Sequence, residues 1–420
     1  MNLLITGICG FAGSVIARHL LEHSSGLSIS GFDNLSRKGS ETNVEPLKAL
    51  GIDIRVGDVR DRAFLDTLPK ADWILDCAAN PSVLAGVDGS GSRDLVDQNL
   101  CGTINLLELC KEWKAGFILL STSRVYSIAP LANLPLLEAP TRFEPDFQPK
   151  EGADDAKKET GITKGGLSET FSTEPPVSLY GSTKRCSELM ALEYGAAFGF
   201  PVWINRCGVL AGGGQFGKAD QGIFSYWIHS WRTGRPLKYI GFGGTGKQVR
   251  DCLHPRDLVP LLLKQIATCS GSRSAGTTGL PKSTKDTKEI ISDAFPFCPP
   301  VPPVATPASS ALCPPVHLVA KSSPPRILNL SGGASNSMSL LELSAWCQAR
   351  FGPYPNSPAS DLNLQASSFS SRPFDIPWMI LDPSLAAKTW DWKPATPIHE
   401  VLEEIALHAE AKPGWLDLVT

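Results

Sequence analysis

The chain has 420 residues, 42% of them hydrophobic, which is enough for one large α/β unit or two domains with a sizeable core. A formal net charge of -3 offers no whole-chain attraction to nucleic acid or to an anionic membrane, so any phosphate recognition must be local. The eleven cysteines form no CxxC pair and the seven histidines no metal-ligand spacing; with no run near the roughly 18 apolar residues of a membrane span, a soluble cytoplasmic protein without a metal site is expected.

In chain order, apolar segments of strand type occur at Leu3 to Thr6, Leu27 to Phe32, Ile52 to Val56, Trp73 to Ala78, Gly116 to Ser121 and Val202 to Asn205, with helical patterns at Val96 to Trp113 and Cys186 to Phe198. Alternation of this kind predicts an α/β fold: a Rossmann-type, doubly wound parallel sheet over 1–205, with a smaller C-terminal substrate domain over 206–420. Pro145 to Glu174 is polar and reads as a long loop. Ser270 to Pro325 is rich in Ser, Thr and Pro and reads as a flexible insertion, which loop-closure entropy tolerates because it grows slowly with length. A further strand is expected at 326–333, returning to the sheet, and a helix at Ser339 to Phe351.

The first strand runs into Gly7-x-x-Gly10-x-x-Gly13 and then a helical pattern from Val15. Glycines here let the backbone approach a pyrophosphate, and the helix N-terminus supplies free N–H groups and the positive end of its dipole. Such a turn can also merely cap a βα unit, but Asp33 closes the second strand, where it can bind an adenosine ribose and repel a 2′-phosphate. NAD is therefore the expected cofactor. Arg37 and Lys38 either meet a phosphate, which would favour NADP, or lie on a solvated loop.

The fifth strand ends in hydroxyls at Ser121, Thr122 and Ser123, and Tyr180 and Lys184 share one face of a helix. A lysine ammonium beside a tyrosine would lower the phenol from about 10 toward working pH. Such a tyrosine can take a hydroxyl proton while hydride leaves the same carbon for nicotinamide, with Thr122 orienting the oxygen. A Tyr-x-x-x-Lys spacing alone is as readily a surface helix pair. Arg250 is suited to bidentate contact with a diphosphate, with Arg372 as a second clamp; otherwise it pairs with Asp251 or Asp257. His254 reads as a packed residue, Lys218 and Lys247 as solvated, and Trp227 and Trp231 as an apolar helix face rather than a base-stacking platform.

Taken in this order, the glycine turn, the hydroxyl-ended strand and the Tyr-Lys pair resemble the extended short-chain dehydrogenase/reductase family of nucleotide-sugar epimerases and dehydratases. Cys77-Ala-Ala-Asn80 and Asn99-x-x-Gly102-Thr103 add to the likeness. The resemblance implies catalytic Thr122, Tyr180 and Lys184, and cofactor contacts from Gly7, Gly10, Phe11, Gly13, Asp33, Asn34, Asp58, Val59, Ala78, Ala79 and Asn99 as well as Tyr180 and Lys184. It implies substrate contacts from Asn80, Thr122, Gln215, Gln248, Arg250 and Arg372, and a homodimer or homotetramer through helices flanking the sheet, such as Val96 to Trp113 and Tyr180 to Phe198.

Related dehydratases carry Asp-Glu after the active-site threonine, whereas this chain has Ser123-Arg124, which disfavours elimination of water. Gly212 to Gly222, Gly246 to His254 and Asp33 to Gly39 resemble the CDP-paratose 2-epimerase branch. A nucleotide-sugar 2-epimerase is the expected activity. A UDP-sugar 4-epimerase using the same three residues is the alternative, and a non-catalytic NAD-binding sensor or scaffold is the alternative from another class. Val209 stands where many relatives place asparagine, so the sugar contacts can differ.

Overall fold

The computed structural model describes residues 1–87, 89, 91–147, 161–219, 221–268, 324–355 and 375–419. Arg372 and almost all of the 270–325 stretch lie outside the described residues.

Seven strands, β1 (Asn2–Thr6), β2 (Ser28–Asp33), β3 (Asp53–Val56), β4 (Trp73–Asp76), β5 (Gly116–Thr122), β6 (Val202–Cys207) and β7 (Ile327–Leu330), form one parallel sheet in the order β7-β6-β5-β4-β1-β2-β3. Leu3, Leu4 and Ile5 are all buried, as expected of a parallel strand covered on both faces. The strand order reverses between β1 and β4, the place where such sheets open a crevice beyond their carboxyl ends. β4 stops at Asp76 rather than Ala78 because the chain bends to pack against Gly7; a Cβ there would lie 2.9 Å from Ala78 Cα.

Helices α1 (Phe11–His23), α2 (Gly102–Trp113) and α3 (Leu179–Phe198) cover the sheet. The helical pattern from Val96 does not enter α2 as one regular helix; a π-turn spans Asp97–Cys101. The hydroxyls of Thr103 and Ser187 both donate to the Asn99 carbonyl, at 2.9 and 3.1 Å. α3 is capped by the Ser178 side chain, which accepts from Gly181 N–H, and ends at Gly199 in the left-handed conformation. Tyr180 and Lys184 thus occupy its first two turns.

A second layer packs α4 (Ile223–Thr233), α5 (Leu340–Phe351) and α6 (Ile398–Ala411) around Trp227, Trp231, Leu343 and Ile405. Ser339 caps α5 in a reciprocal box with Glu342. A small sheet of Ser337–Ser339, Val249–Asp251 and Trp378–Met379 carries Arg250. Among the described residues, no helix is long and apolar enough to cross a membrane, and no group of His, Cys, Asp or Glu could hold a metal.

Candidate active site

One cavity of about 1000 Å³ opens at the carboxyl ends of the central strands and runs between the two layers. That volume lies at the upper end for ligand pockets. Its sheet side is lined by Gly7, Gly10, Phe11, Gly13, Asp33, Asn34, Asp58, Val59, Ala78, Ala79 and Asn80.

The glycine turn is sterically closed to side chains. Gly7 has φ +61°, and a Cβ on Gly13 would fall 2.4 Å from the Gly7 carbonyl oxygen. Asp33 accepts from the backbone N–H groups of Cys9 (3.1 Å) and Leu35 (2.9 Å), which fixes its carboxylate at the end of β2. Burial raises its pKa and these N–H groups oppose that rise. Beside it, the Arg60 guanidinium clasps Asp58 and holds its carboxyl down to about 2, while the Asn34 amide donates to Asp58 at 2.8 Å. Arg37 lines the cavity and donates to the Phe216 carbonyl, so it is not a loop cation surrounded only by water. A tight glycine cradle at a helix start, with a fixed acid one strand away, fits an NAD pyrophosphate and adenosine ribose. Gly13→Val is expected to weaken NAD binding at least about tenfold, read by titration calorimetry on a variant whose circular dichroism is unchanged.

Asn99 stands apart from the other sequence-predicted cofactor residues. Its amide accepts from Asn80 N–H (2.8 Å) and donates to the Asn80 carbonyl (3.0 Å) and Thr183 Oγ1 (3.2 Å), and it lies off the cavity wall. It buttresses the 78–80 loop against α3. Gln98, its neighbour, is the cavity-lining residue.

Thr122, Tyr180 and Lys184 meet at the end of β5. Tyr180 and Thr122 line the cavity together. Burial pushes the phenol up to about 12, opposed by the neighbouring Thr122 hydroxyl and by the positive charge of Arg124. The sequence-based expectation that Lys184 brings Tyr180 down is thus corrected for this structure: burial dominates, and the cation acting on Tyr180 is Arg124. Lys184 is only 2% exposed, and burial lowers its pKa against the pull of Asp76 and Glu188. Asp76 is held by Thr6 Oγ1 (2.7 Å) and Thr103 Oγ1 (3.2 Å).

Across the cavity lie Gln215, Gln248 and Arg250. The Gln215 and Gln248 amide nitrogens donate to the carbonyls of Leu210 (2.6 Å) and Ile240 (2.7 Å). Each Oε1 is buried and accepts no hydrogen bond among the described residues, so a ligand donor would satisfy it. Arg250 donates to the carbonyls of Val249 and Ile376 and sits 3.8 Å from Asp375. Neither suggested acid is its ion-pair partner: Asp251 accepts from Val209 and Leu381 N–H, and Asp257 from Thr396 and Ala395. Lys247 is not merely solvated, since it pairs with Glu138 at 2.9 Å. Lys218 lines the cavity. His254 is buried against Glu404 at 3.1 Å, and Trp227 stacks on Tyr239 within the second layer's core. Arg124, Cys207 and Asp375 also line the cavity without having been singled out as site residues. Only Arg124 carried a visible signal, two positions after Thr122 at a strand's carboxyl end.

Residues 3–276 match the NAD dependent epimerase/dehydratase family. The chain is 31% identical over 286 residues to CDP-paratose 2-epimerase of Salmonella typhi, covering 65% of this chain and 77% of that protein. It is 27% identical over 273 residues to a probable UDP-glucuronate 4-epimerase of Rhizobium meliloti, covering 63% and 67%. The fold is shared with UDP-glucose 4-epimerase of Thermotoga maritima, solved with UDP-glucose, at TM-score 0.64 and 17% identity over 98% of this chain and 99% of that one. It is also shared with UDP-glucuronic acid 4-epimerase of Bacillus cereus, solved with UDP-glucuronic acid and NAD, at TM-score 0.63 and 20% identity over the same shares. With its glycine cradle, parallel sheet and Thr-Tyr-Lys cluster at the strand ends, the chain belongs to the NAD dependent epimerase/dehydratase family.

Proposed function

We propose that this protein is a nucleotide-sugar epimerase that inverts C2 of a CDP-linked deoxysugar. The observation that carries the reading is the shared cavity wall of Thr122, Tyr180 and Lys184, with Lys184 one turn after Tyr180 along α3 and no carboxylate at 123 or 124. NAD, held by Gly7, Gly10, Gly13, Asp33 and Lys184, supplies a reversible hydride acceptor for the sugar carbon. Tyr180 takes the proton of the sugar hydroxyl and later gives it back. Thr122 holds the reacting oxygen. Arg250 binds the diphosphate, and the free Oε1 atoms of Gln215 and Gln248 accept from substrate hydroxyl or amino groups. Without an Asp-Glu pair after Thr122, water elimination lacks its acid and base. The likeness to CDP-paratose 2-epimerase supports the C2 assignment.

A second reading, inversion at C4 of a UDP-sugar, draws on the UDP-glucuronate 4-epimerase relative and needs no change in the three residues. Two copies are proposed to pair through α2 and α3, the latter leaving Leu189 and Phe198 about half exposed. Incubation with CDP-paratose, and separately with UDP-glucose, followed by NMR of the ring protons without added reductant, separates the readings. CDP-tyvelose is the expected product; conversion of UDP-glucose alone to UDP-galactose would move the chemistry to C4.

A further inference from the structure

The connection between β6 and α4 passes along the cavity at Gln215 and Phe216, which both line it. Facing it is the turn 37–40, just beyond Asp33, closed by the Ser40 N–H donating to the Arg37 carbonyl at 3.0 Å. The two are joined directly. The Arg37 guanidinium donates to the Phe216 carbonyl. Gly39, at φ +94°, is covered so closely that a Cβ there would lie 3.0 Å from the Phe216 ring and 2.6 Å from Val419 Cγ1. Both the left-handed conformation and the close approach call for glycine.

Val419 belongs to a short last helix, α7 (Trp415–Val419), none of whose residues lines the cavity. Trp415 is 8% exposed, and its indole N–H donates to the Gln215 carbonyl at 2.9 Å, the same oxygen that Ser225 Oγ reaches at 3.2 Å. Its ring lies 5.8 Å from that of Phe216, centroid to centroid. Leu416 and Val419 complete this apolar cluster, and Phe11, the first residue of α1, packs against it. One cluster thus touches the segment that carries Gln215, the 37–40 turn and the start of the helix that follows the glycine cradle.

We propose that Trp415 is a positioning residue for the Gln215–Phe216 segment, and that this segment retains bound NAD by tying the second layer to the 37–40 turn beside Asp33. Asp33 marks the adenosine end of the cofactor site, so the Arg37–Phe216 bridge spans the cavity at that end. The bridge and the packing of the Phe216 ring on Gly39 must part before the two layers can open there. Contacts that break on opening slow dissociation even when they are not made to the ligand. Trp415 acts from outside the cavity: without its N–H, the Gln215 carbonyl keeps only the Ser225 hydroxyl, and the segment loses part of its support.

The test follows release of radiolabelled NAD from the loaded full chain during a chase with excess unlabelled NAD. It uses no sugar nucleotide, so its outcome is independent of the C2 and C4 readings. Phe216→Ala, on the segment itself, is expected to speed release at least about tenfold. Trp415→Phe keeps the aromatic packing and drops the N–H, and is expected to speed release about threefold to tenfold. The double variant is expected to fall short of the product of the two, since both act on one segment. Trp231→Phe is the control: it removes an indole donor 3.2 Å from the Gly352 carbonyl, in the same layer and away from the cavity, and release should match wild type. Unchanged release from Phe216→Ala would overturn retention by the segment. Unchanged release from Trp415→Phe, equal acceleration in Trp231→Phe, or a double variant equal to the product would overturn the positioning role of Trp415.

Discussion

Replacing Tyr180 with phenylalanine is expected to lower kcat by about 100-fold to 10,000-fold, the range for loss of a positioned acid/base group. Tyr180 is 7% exposed, and phenylalanine fills the same space, so the fold and nucleotide binding should persist. What disappears is the hydroxyl that lines the cavity beside Thr122. Ser123 and Arg124 hold no carboxylate to replace it. The pH dependence has a definite sign. Because burial holds the free-enzyme phenol high, near 12, its base form is scarce at neutral pH and grows as pH rises. Wild-type kcat/KM is therefore expected to climb with pH on its acidic limb, and the residual kcat/KM of the phenylalanine variant to lose that limb. Steady-state rates across pH, taken with the NMR assay, check both expectations. Full activity of the variant would overturn the role of Tyr180 as the proton-exchanging group.

The second large effect is on stability. Arg206→Met is expected to cost about 3–5 kcal/mol, because it strands a buried carboxylate. Glu188 is fully buried and Arg206 is 2% exposed. The guanidinium holds the carboxylate with two bonds, of 2.9 and 2.7 Å, and donates to Tyr126 Oη at 3.2 Å. Burial works against the Arg206 charge, yet Glu188 outweighs it and holds the guanidinium above its ordinary value. Ser121 Oγ and Arg185 also bind Glu188, at 2.6 and 3.1 Å, which should keep the loss toward the lower end. The double variant Arg206→Met with Glu188→Leu is expected to recover much of the loss, since no charge remains buried. Denaturant unfolding of the two variants and wild type measures this. Glu188 lies one helical turn beyond Lys184, so the single variant should also lose activity through displacement of α3.

The phosphate turn was readable because its signal is local. Three glycines, an apolar strand before them and a helical pattern after them sit within one short stretch, and the backbone alone creates the requirement: Gly7 at φ +61° and no room for a Cβ on Gly13. β1, β4, β5 and β6 were legible for a related reason, since strands buried on both faces are largely continuous apolar runs. The π-turn at Asp97–Cys101 was not legible, because its cause includes a hydroxyl on another helix, Ser187, donating to the Asn99 carbonyl. Asn99 looked like a cofactor ligand, yet its amide is occupied by Asn80 and Thr183. Arg250 lines the cavity, and its ion partner, Asp375, comes from a distant part of the chain that sequence spacing does not bring to it.

By itself, then, the sequence determined the α/β alternation, the glycine cradle with Asp33, and the order of Thr122, Tyr180 and Lys184. These follow from periodicity, backbone sterics and i,i+4 spacing, all short-range properties. Only the tertiary structure decided which charge faces Tyr180 and how far burial shifts it. Lys184 is close to Tyr180 along the helix but answers electrostatically to Asp76 and Glu188, while Arg124, from another element, acts on the phenol. Charge interactions and desolvation depend on distance and burial in the folded molecule, and neither is contained in the spacing of residues along the chain.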